Sequence, residues 1–309
     1  MGDALAGKVG LIGLAVPVLV GASAVLYALS ALGAYLSVRE RRWNRYSAWA
    51  AQGAWVAHTV ALLGGALFGG RWTVWSAAPG AMLLVTWLAA SSYQVSDALL
   101  REAGKRLGPR GQDGPGPQMA PTGLGLFLFP AIAVGLVLAD VVAGWASGGL
   151  IAGPDRSVLE ESWVPVHAIL AATGWGLFTL AWVANLMYTT QDRSLRKLRL
   201  GPLSRLLPSL EVLDRVGLRL VVAGLLFLVA GLIPGIARAV SLWGATWFAD
   251  PKVISTFLAV LAYAFHLVAR VRLGWTARRA SWVLNVGFIL TAVNLLVATP
   301  LLSRFHQWL

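Results

Sequence analysis

Eight runs of about twenty predominantly apolar residues, each long enough as a helix to cross the hydrocarbon core of a bilayer, succeed one another along this chain of 309 residues. Lipid offers a peptide backbone no hydrogen-bonding partner, so such runs must satisfy their own N–H and C=O groups as helices. They lie near 11–36, 47–68, 78–99, 122–145, 164–189, 217–239, 252–270 and 281–302, each bounded by charge, glycine or proline. The expected fold is therefore all-α, a polytopic membrane helix bundle with eight transmembrane helices. Hydrophobic residues make up 58% of the chain and charged residues 12%, which leaves little material for a water-soluble domain.

The basic residues orient the bundle. Arg39, Arg41, Arg42 and Arg45 follow the first run, and Arg101, Lys105, Arg106 and Arg110 follow the third. Seven more lie between Arg193 and Arg219, and Arg270, Arg272, Arg278 and Arg279 join the last two runs. The opposite loops and the termini hold only Lys8, Arg71, Arg156, Arg238, Lys252 and Arg304, six of the 25. By the positive-inside rule the basic loops are cytoplasmic, and an even number of spans puts both termini on the outer side of a bacterial cytoplasmic membrane. The first run reads as a span, not as a cleavable leader. The net charge of +12 is accounted for by this topology and by contact with anionic membrane lipid, so no nucleic-acid partner is expected.

The chain reads as a single integral membrane domain over 1–309, with a three-span front part (1–103), a Gly- and Pro-rich cytoplasmic linker (104–121) and a five-span core (122–309). Asp192 to Arg215, where leucines and arginines alternate around Pro202 and Pro208, is expected to hold a short amphipathic surface helix. Cysteine is absent, which excludes disulfides and thiol exchange by the chain itself. There is no Walker loop and no Ser-His-Asp order to support a nucleotide-driven pump or a hydrolase.

His58, His167, His266 and His306 are the only imidazoles, and all four fall inside or at the outer rim of a bundle otherwise nearly empty of ionisable groups. That pattern points at a buried metal or cofactor. At about 1.5 Å per residue, His58 lies roughly 16 Å from the cytoplasmic end of its run and His266 roughly 21 Å from the outer end of its own, which sets an expectation of nearly equal depth. A simpler reading also stands, in which each imidazole hydrogen-bonds a neighbouring helix. Asn185 and Asn294 are expected to do the same, Asp140 to reach water at the interface, and Tyr188 and Arg193 to serve as interface anchors.

The outer loop between the sixth and seventh runs reads Trp243, Gly244, Ala245, Thr246, Trp247, Phe248, Ala249, Asp250, Pro251, Lys252. Asp250 and Pro251 suit the N-cap and first position of the next helix, and Trp243 and Trp247, four apart, share a face if the segment is helical. An aromatic shelf results, although an interfacial aromatic belt with a helix cap explains the same residues.

Trp243, Gly244, Trp247, Asp250, Pro251 and Lys252 resemble the tryptophan-rich signature of the cytochrome c assembly family, the heme-handling membrane proteins CcsA, CcmC and CcmF and the related HemX proteins. The run from Leu207 to Arg215, the span closing in Gly231 and Gly235, and then Tyr263, His266, Arg270, Trp275 to Arg279, Gly287 and Asn294 follow the family's order. The likeness covers the last 150 residues or so well and the rest loosely. Two positions depart from it: the third tryptophan of the signature is missing, and Val253 stands where a glutamate is usual. Both departures are closer to the HemX branch, so at most the chain is one component of a heme lyase system.

The resemblance implies that His167 and His306 are axial ligands to an external heme b over the shelf formed by Trp243, Trp247 and Asp250; by position and charge, Arg238, Lys252, Arg304 or Arg71 is expected to meet the anionic propionates. It implies His58 and His266 as a second, intramembrane pair of heme-iron ligands. The function implied is uptake of heme within the membrane and its presentation at the outer face for cytochrome c maturation, with a CcsB-like partner and apocytochrome c. The alternative is a HemX-type heme sensor that regulates heme biosynthesis through the level of glutamyl-tRNA reductase. An ion or solute transporter with structural histidines is the third class.

Overall fold

Ser209, Asp250 and Thr276 each open a helix by accepting a backbone N–H two or three residues on, from Val212 (3.4 Å), Lys252 (2.9 Å) and Arg279 (3.3 Å). These caps divide the second half of the chain at points where the apolar runs alone leave the boundary open. The structure is a computed structural model and describes residues 2–40, 42–68, 78–106, 121–147, 163–198, 201, 204 and 207–303. Among these it contains eight α-helices: α1 (Gly2–Ser37), α2 (Trp43–Phe68), α3 (Ala78–Arg106), α4 (Pro121–Ser147), α5 (Trp163–Arg196), α6 (Leu210–Trp243), α7 (Pro251–Val271) and α8 (Ala277–Val293). A 3-10 turn (Gly244–Ala249) joins α6 to α7, and a π-helical segment (Asn294–Leu302) continues α8. No strand occurs among the described residues.

Among the described residues, six stretches are long and apolar enough to cross a membrane: Ala15–Ser37, Leu124–Gly144, Val166–Arg196, Leu210–Ala249, Pro251–Val271 and Ala277–Thr299. The other two expected spans form as helices, α2 and α3, but are not among these six. Asn44, Arg45, Gln52, His58 and Thr59 dilute α2, and Thr86, Ser91, Ser92, Gln94 and Asp97 dilute α3. Part of this polarity is used between helices: Trp55 donates to Ser91 (2.9 Å), Trp87 donates to Thr59 (2.9 Å), and the two indoles stack. In the stretch where an amphipathic helix is expected, several residues between the end of α5 at Arg196 and the start of α6 at Leu210 lie outside the described residues.

Small residues set how closely the helices approach. On the α1–α2 interface, Gly33 lies against Ser47 and Gly64 against Val16, which fixes an antiparallel pair. Ser30 and Ser47 exchange side-chain-to-carbonyl hydrogen bonds of 2.8 Å across it. The helix α4 packs on α1 and α3, so it groups with the front helices and not with the last four. In α6 the buried residues Gly217, Val221, Gly224, Leu228 and Gly231 form a seam with a seven-residue repeat against α5. At Gly174 of α5 an added β-carbon would stand 2.9 Å from the carbonyl oxygen of Gly224, so the two backbones nearly touch. The helix α3 joins the two groups through α5, where Gly176 rests on Val85 and Leu88.

Because consecutive helices alternate in direction, the bundle has two ends. We call them the arginine end, where α1–α2, α5–α6 and α7–α8 connect, and the tryptophan end, which carries Trp243 to Lys252.

Candidate functional site

His167, on the first turns of α5, lies across the glycines of α6 at the tryptophan end. Its Nδ1 donates to the carbonyl of Gly231 at 2.8 Å, and its ring fills the space beside Gly235, where a β-carbon would come within 2.7 Å of Cε1. A carbonyl can only accept, so the proton of the neutral imidazole sits on Nδ1 and the lone pair on Nε2. This is the arrangement that prepares a histidine to ligate a metal. Lys252 lies near enough for its charge to interact with His167.

The loop that leads from α6 to Lys252 is not one continuous helix. Gly244 takes φ of +58°, a left-handed conformation suited to glycine, and ends α6. Trp243 therefore closes α6 while Trp247 belongs to the 3-10 turn, and the shared face expected of an α-helical i,i+4 pair does not form. Trp247 instead meets Phe248 edge-on (6.5 Å) and Phe257 of α7 (6.5 Å), two rings that the sequence reasoning assigned no role. Arg238, one turn before the end of α6, reaches Ser241 at 3.4 Å and stands at the same end of the bundle.

Asp250 is 2% exposed, and both carboxylate oxygens accept hydrogen bonds: Oδ1 from the Lys252 N–H and Oδ2 from Ser303 Oγ at 2.8 Å. It caps α7 and ties down the end of the π-helical segment. Asn294 braces the same corner, donating from Nδ2 to the Lys252 carbonyl (2.8 Å) and meeting Ser255 Oγ (2.6 Å) and Thr256 Oγ1 (2.8 Å). Ser303 and Asn294 are thus what hold the tryptophan loop in place. The sequence pointed to Asn294 as an interhelical hydrogen-bonder and gave no signal for Ser303.

His58 is fully buried among α1, α2 and α3. Its Nε2 donates to the Leu83 carbonyl at 3.0 Å, which leaves the lone pair on Nδ1, and Nδ1 has no hydrogen-bond partner. The Tyr27 ring meets it edge-on at 6.0 Å, and the Tyr27 hydroxyl is also buried and unpartnered. His266, 5% exposed on α7, donates from Nδ1 to the Ala280 carbonyl of α8 at 3.2 Å. It lines a cleft with Asn185, Tyr188, Asp214 and Arg270.

His58 and His266 do not share a depth. Using α5 as a common scale, the crossing at Gly176 puts Val85 and Leu88 beside it, and Leu83, which holds His58, lies further toward the tryptophan end. His266 shares its cleft with Ala181, Asn185 and Tyr188, toward the arginine end. The axial separation is roughly 15 to 20 Å at about 1.5 Å per residue. Counting from the ends of the apolar runs misjudged it because the helices overrun those ends unequally. His306, Arg304 and Arg71 lie outside the described residues, and no group of three or more His, Cys, Asp or Glu side chains able to hold a metal occurs among the described ones.

The fold defines a multi-pass helical membrane protein, with imidazoles fixed on backbone carbonyls at several levels. The pattern of the cytochrome c assembly protein family matches residues 127–306, more than half of the chain, and the chain belongs to that family. Among curated relatives, protein HemX of Brevibacillus brevis is 30% identical over 152 residues, 49% of this chain and 55% of its own length. Cytochrome c biogenesis protein CcsA of Synechococcus sp. (strain CC9902) is 30% identical over 163 residues, covering 46% and 54% of the two chains. CcsA of Gloeobacter violaceus is 27% identical over 149 residues, covering 48% and 41%. The chain thus spans about half the length of these relatives. No solved structure matches it.

Proposed function

We propose that this protein binds heme b within the membrane and presents it at the tryptophan end for cytochrome c maturation. The observation that carries the reading is that His58, His167 and His266 are each fixed by a ring N–H donated to a backbone carbonyl, and that in His58 the second nitrogen, Nδ1, is buried with no hydrogen-bond partner. An imidazole kept only for interhelical bonding has no need of an unpartnered buried nitrogen such as Nδ1 of His58. Iron porphyrin supplies an acceptor for such donors, and its apolar ring suits the Trp247, Phe248 and Phe257 shelf. In this reading His167 ligates at the tryptophan end together with His306, Lys252 and Arg238 stand near the propionates, and Trp243 and Asp250 support the shelf. His58 and His266 act at separate levels below it.

The reading extends to eight membrane crossings with both termini outside, in a bacterial cytoplasmic membrane, and to apocytochrome c and a CcsB-like protein as partners. The likeness to HemX favours a second reading, a heme sensor acting on the level of glutamyl-tRNA reductase through the arginine end.

The visible spectrum of the purified protein tests both. A Soret band is expected that weakens in His167→Ala and again in His306→Ala. If variants lacking the two outer histidines, and variants lacking His58 and His266, all retain wild-type heme, the ligand assignment is wrong. Loss of cytochrome c maturation in a deletion strain supports the first reading, and a changed glutamyl-tRNA reductase level with normal maturation supports the second.

A further inference from the structure

The basic side chains at the arginine end are unequally neutralised. Glu40 meets Arg42 at 2.6 Å and Glu211 meets Arg215 at 2.5 Å. Asp214 of α6 grips Arg270 of α7 with both carboxylate oxygens, at 2.7 and 2.6 Å from Nη2. Asp192 accepts twice from Nε of Arg196 at 3.0 Å, and Arg278 is left 3.7 Å from that same carboxylate. Arg279 stands 4.1 Å from the centroid of the Trp275 ring, a contact that supplies no anion. Arg272, in the turn between α7 and α8, is exposed and meets no carboxylate among the described residues. Three guanidiniums within 272–279 therefore carry positive charge that the protein itself leaves largely uncompensated.

Directly below them the surface turns apolar. Trp282 follows Arg278 by four residues and Arg279 by three, so it lies on their side of α8, and Trp282, Val286, Ile289 and Val293 are all exposed. At 1.5 Å per residue the stripe runs about 16 Å, close to the roughly 15 Å depth of hydrocarbon in one leaflet. A free anion would satisfy the arginines and leave the stripe unused, and an acidic peptide would carry no tail of that length. A phospholipid joins a phosphate, whose oxygens match the paired donors of a guanidinium, to acyl chains of leaflet depth. α8 has no acidic residue to receive the ammonium of a zwitterionic headgroup. We propose that 272–279 and the exposed stripe of α8 form a binding site for an anionic phospholipid in the leaflet at the arginine end, with its phosphate on Arg278 and Arg279, Arg272 at the rim, and an acyl chain along Trp282 to Val293.

The site does not depend on heme. Native mass spectrometry of the delipidated full chain, offered equal amounts of phosphatidylglycerol and phosphatidylcholine with matched acyl chains, reads the preference. The wild type is expected to retain phosphatidylglycerol roughly tenfold over phosphatidylcholine. The double variant Arg278→Gln/Arg279→Gln is expected to bring that ratio close to parity. Arg42→Gln/Arg45→Gln removes the same charge at the same end but outside the site, and is expected to leave the ratio unchanged. Glycerol 3-phosphate in large excess is expected not to displace the lipid. A wild type without preference overturns the proposal, and that result requires no variant. So does a preference that survives the Arg278/Arg279 double substitution in protein of wild-type helix content. An equal loss in the Arg42/Arg45 variant would assign the attraction to the whole end of the bundle, and displacement by glycerol 3-phosphate would make this a site for a free anion; either outcome also overturns it.

Discussion

Gly235 lies directly under the imidazole of His167: a β-carbon at that position would meet Cε1 at 2.7 Å and Nδ1 at 2.8 Å. The glycine is required by a ring on the neighbouring helix and not by its own backbone, which is helical. Gly235→Ala is expected to push the ring off the Gly231 carbonyl and to cost about 1–3 kcal/mol through overpacking and the lost hydrogen bond. Thermal unfolding in detergent measures the cost, and a weakened Soret band that tracks the one in His167→Ala links it to the ligand. An unchanged melting temperature and spectrum contradict it.

Asp250 should matter more as a cap and latch than as a charge. Asp250→Ala removes the acceptor for Lys252 N–H and strands the buried Ser303 hydroxyl, with an expected loss of about 2–4 kcal/mol. Ser303→Ala leaves the Lys252 cap in place and is expected to lose less, about 1 kcal/mol. Hydrogen exchange across 299–303 should quicken in both variants. Equal losses in the two would mean that the cap contributes nothing.

Tyr263 and Phe178 stack face to face, with ring centroids 3.7 Å apart and planes 9° apart, and both are fully buried between α5 and α7. Tyr263→Ala is expected to cost about 3–5 kcal/mol. Tyr263→Phe keeps the ring and loses only a 3.5 Å contact with Thr291, so it is expected to stay within about 1 kcal/mol of the wild type. Unfolding midpoints decide, and comparable losses in the two variants would shift the weight from the stack to the hydroxyl.

His58 and His266 hold to different helices, His58 to the Leu83 carbonyl and His266 to the Ala280 carbonyl. At the axial separation derived from α5, their substitutions are expected to add. The double alanine variant should lose stability equal to the sum of the singles within about 0.5 kcal/mol. A larger coupling, in protein stripped of heme, would show that the two sites share structure.

The helix order could be read from the chain because each apolar run must fold on itself in lipid, and Asp250–Pro251 was recognisable as a helix start from residue types alone. The level at which each histidine sits was not readable. Depth depends on where a helix begins relative to its neighbour, and α2 starts at Trp43, four residues before its apolar run. The break between Trp243 and Trp247 did have a signal, the glycine directly after the first tryptophan, which is a common helix terminator. Gly217, Gly224 and Gly231 also stood in view at seven-residue spacing, but their meaning depends on Gly174 and His167 of α5, which only folding brings alongside. Asp214 and Arg270 were visible as charges near helix ends. Their union across 56 positions left no local trace.

The glycine seam on α6 also fixes how α5 and α6 can move. Sliding one along the other by any step short of seven residues, about 10 Å of travel, would bring α5 atoms onto positions where α6 has bulk in place of glycine. The pair is keyed like a ratchet with a single tooth in reach, so it forms the stationary wall of the bundle. Any opening on the arginine side then has to come from α7 and α8 swinging away from that wall.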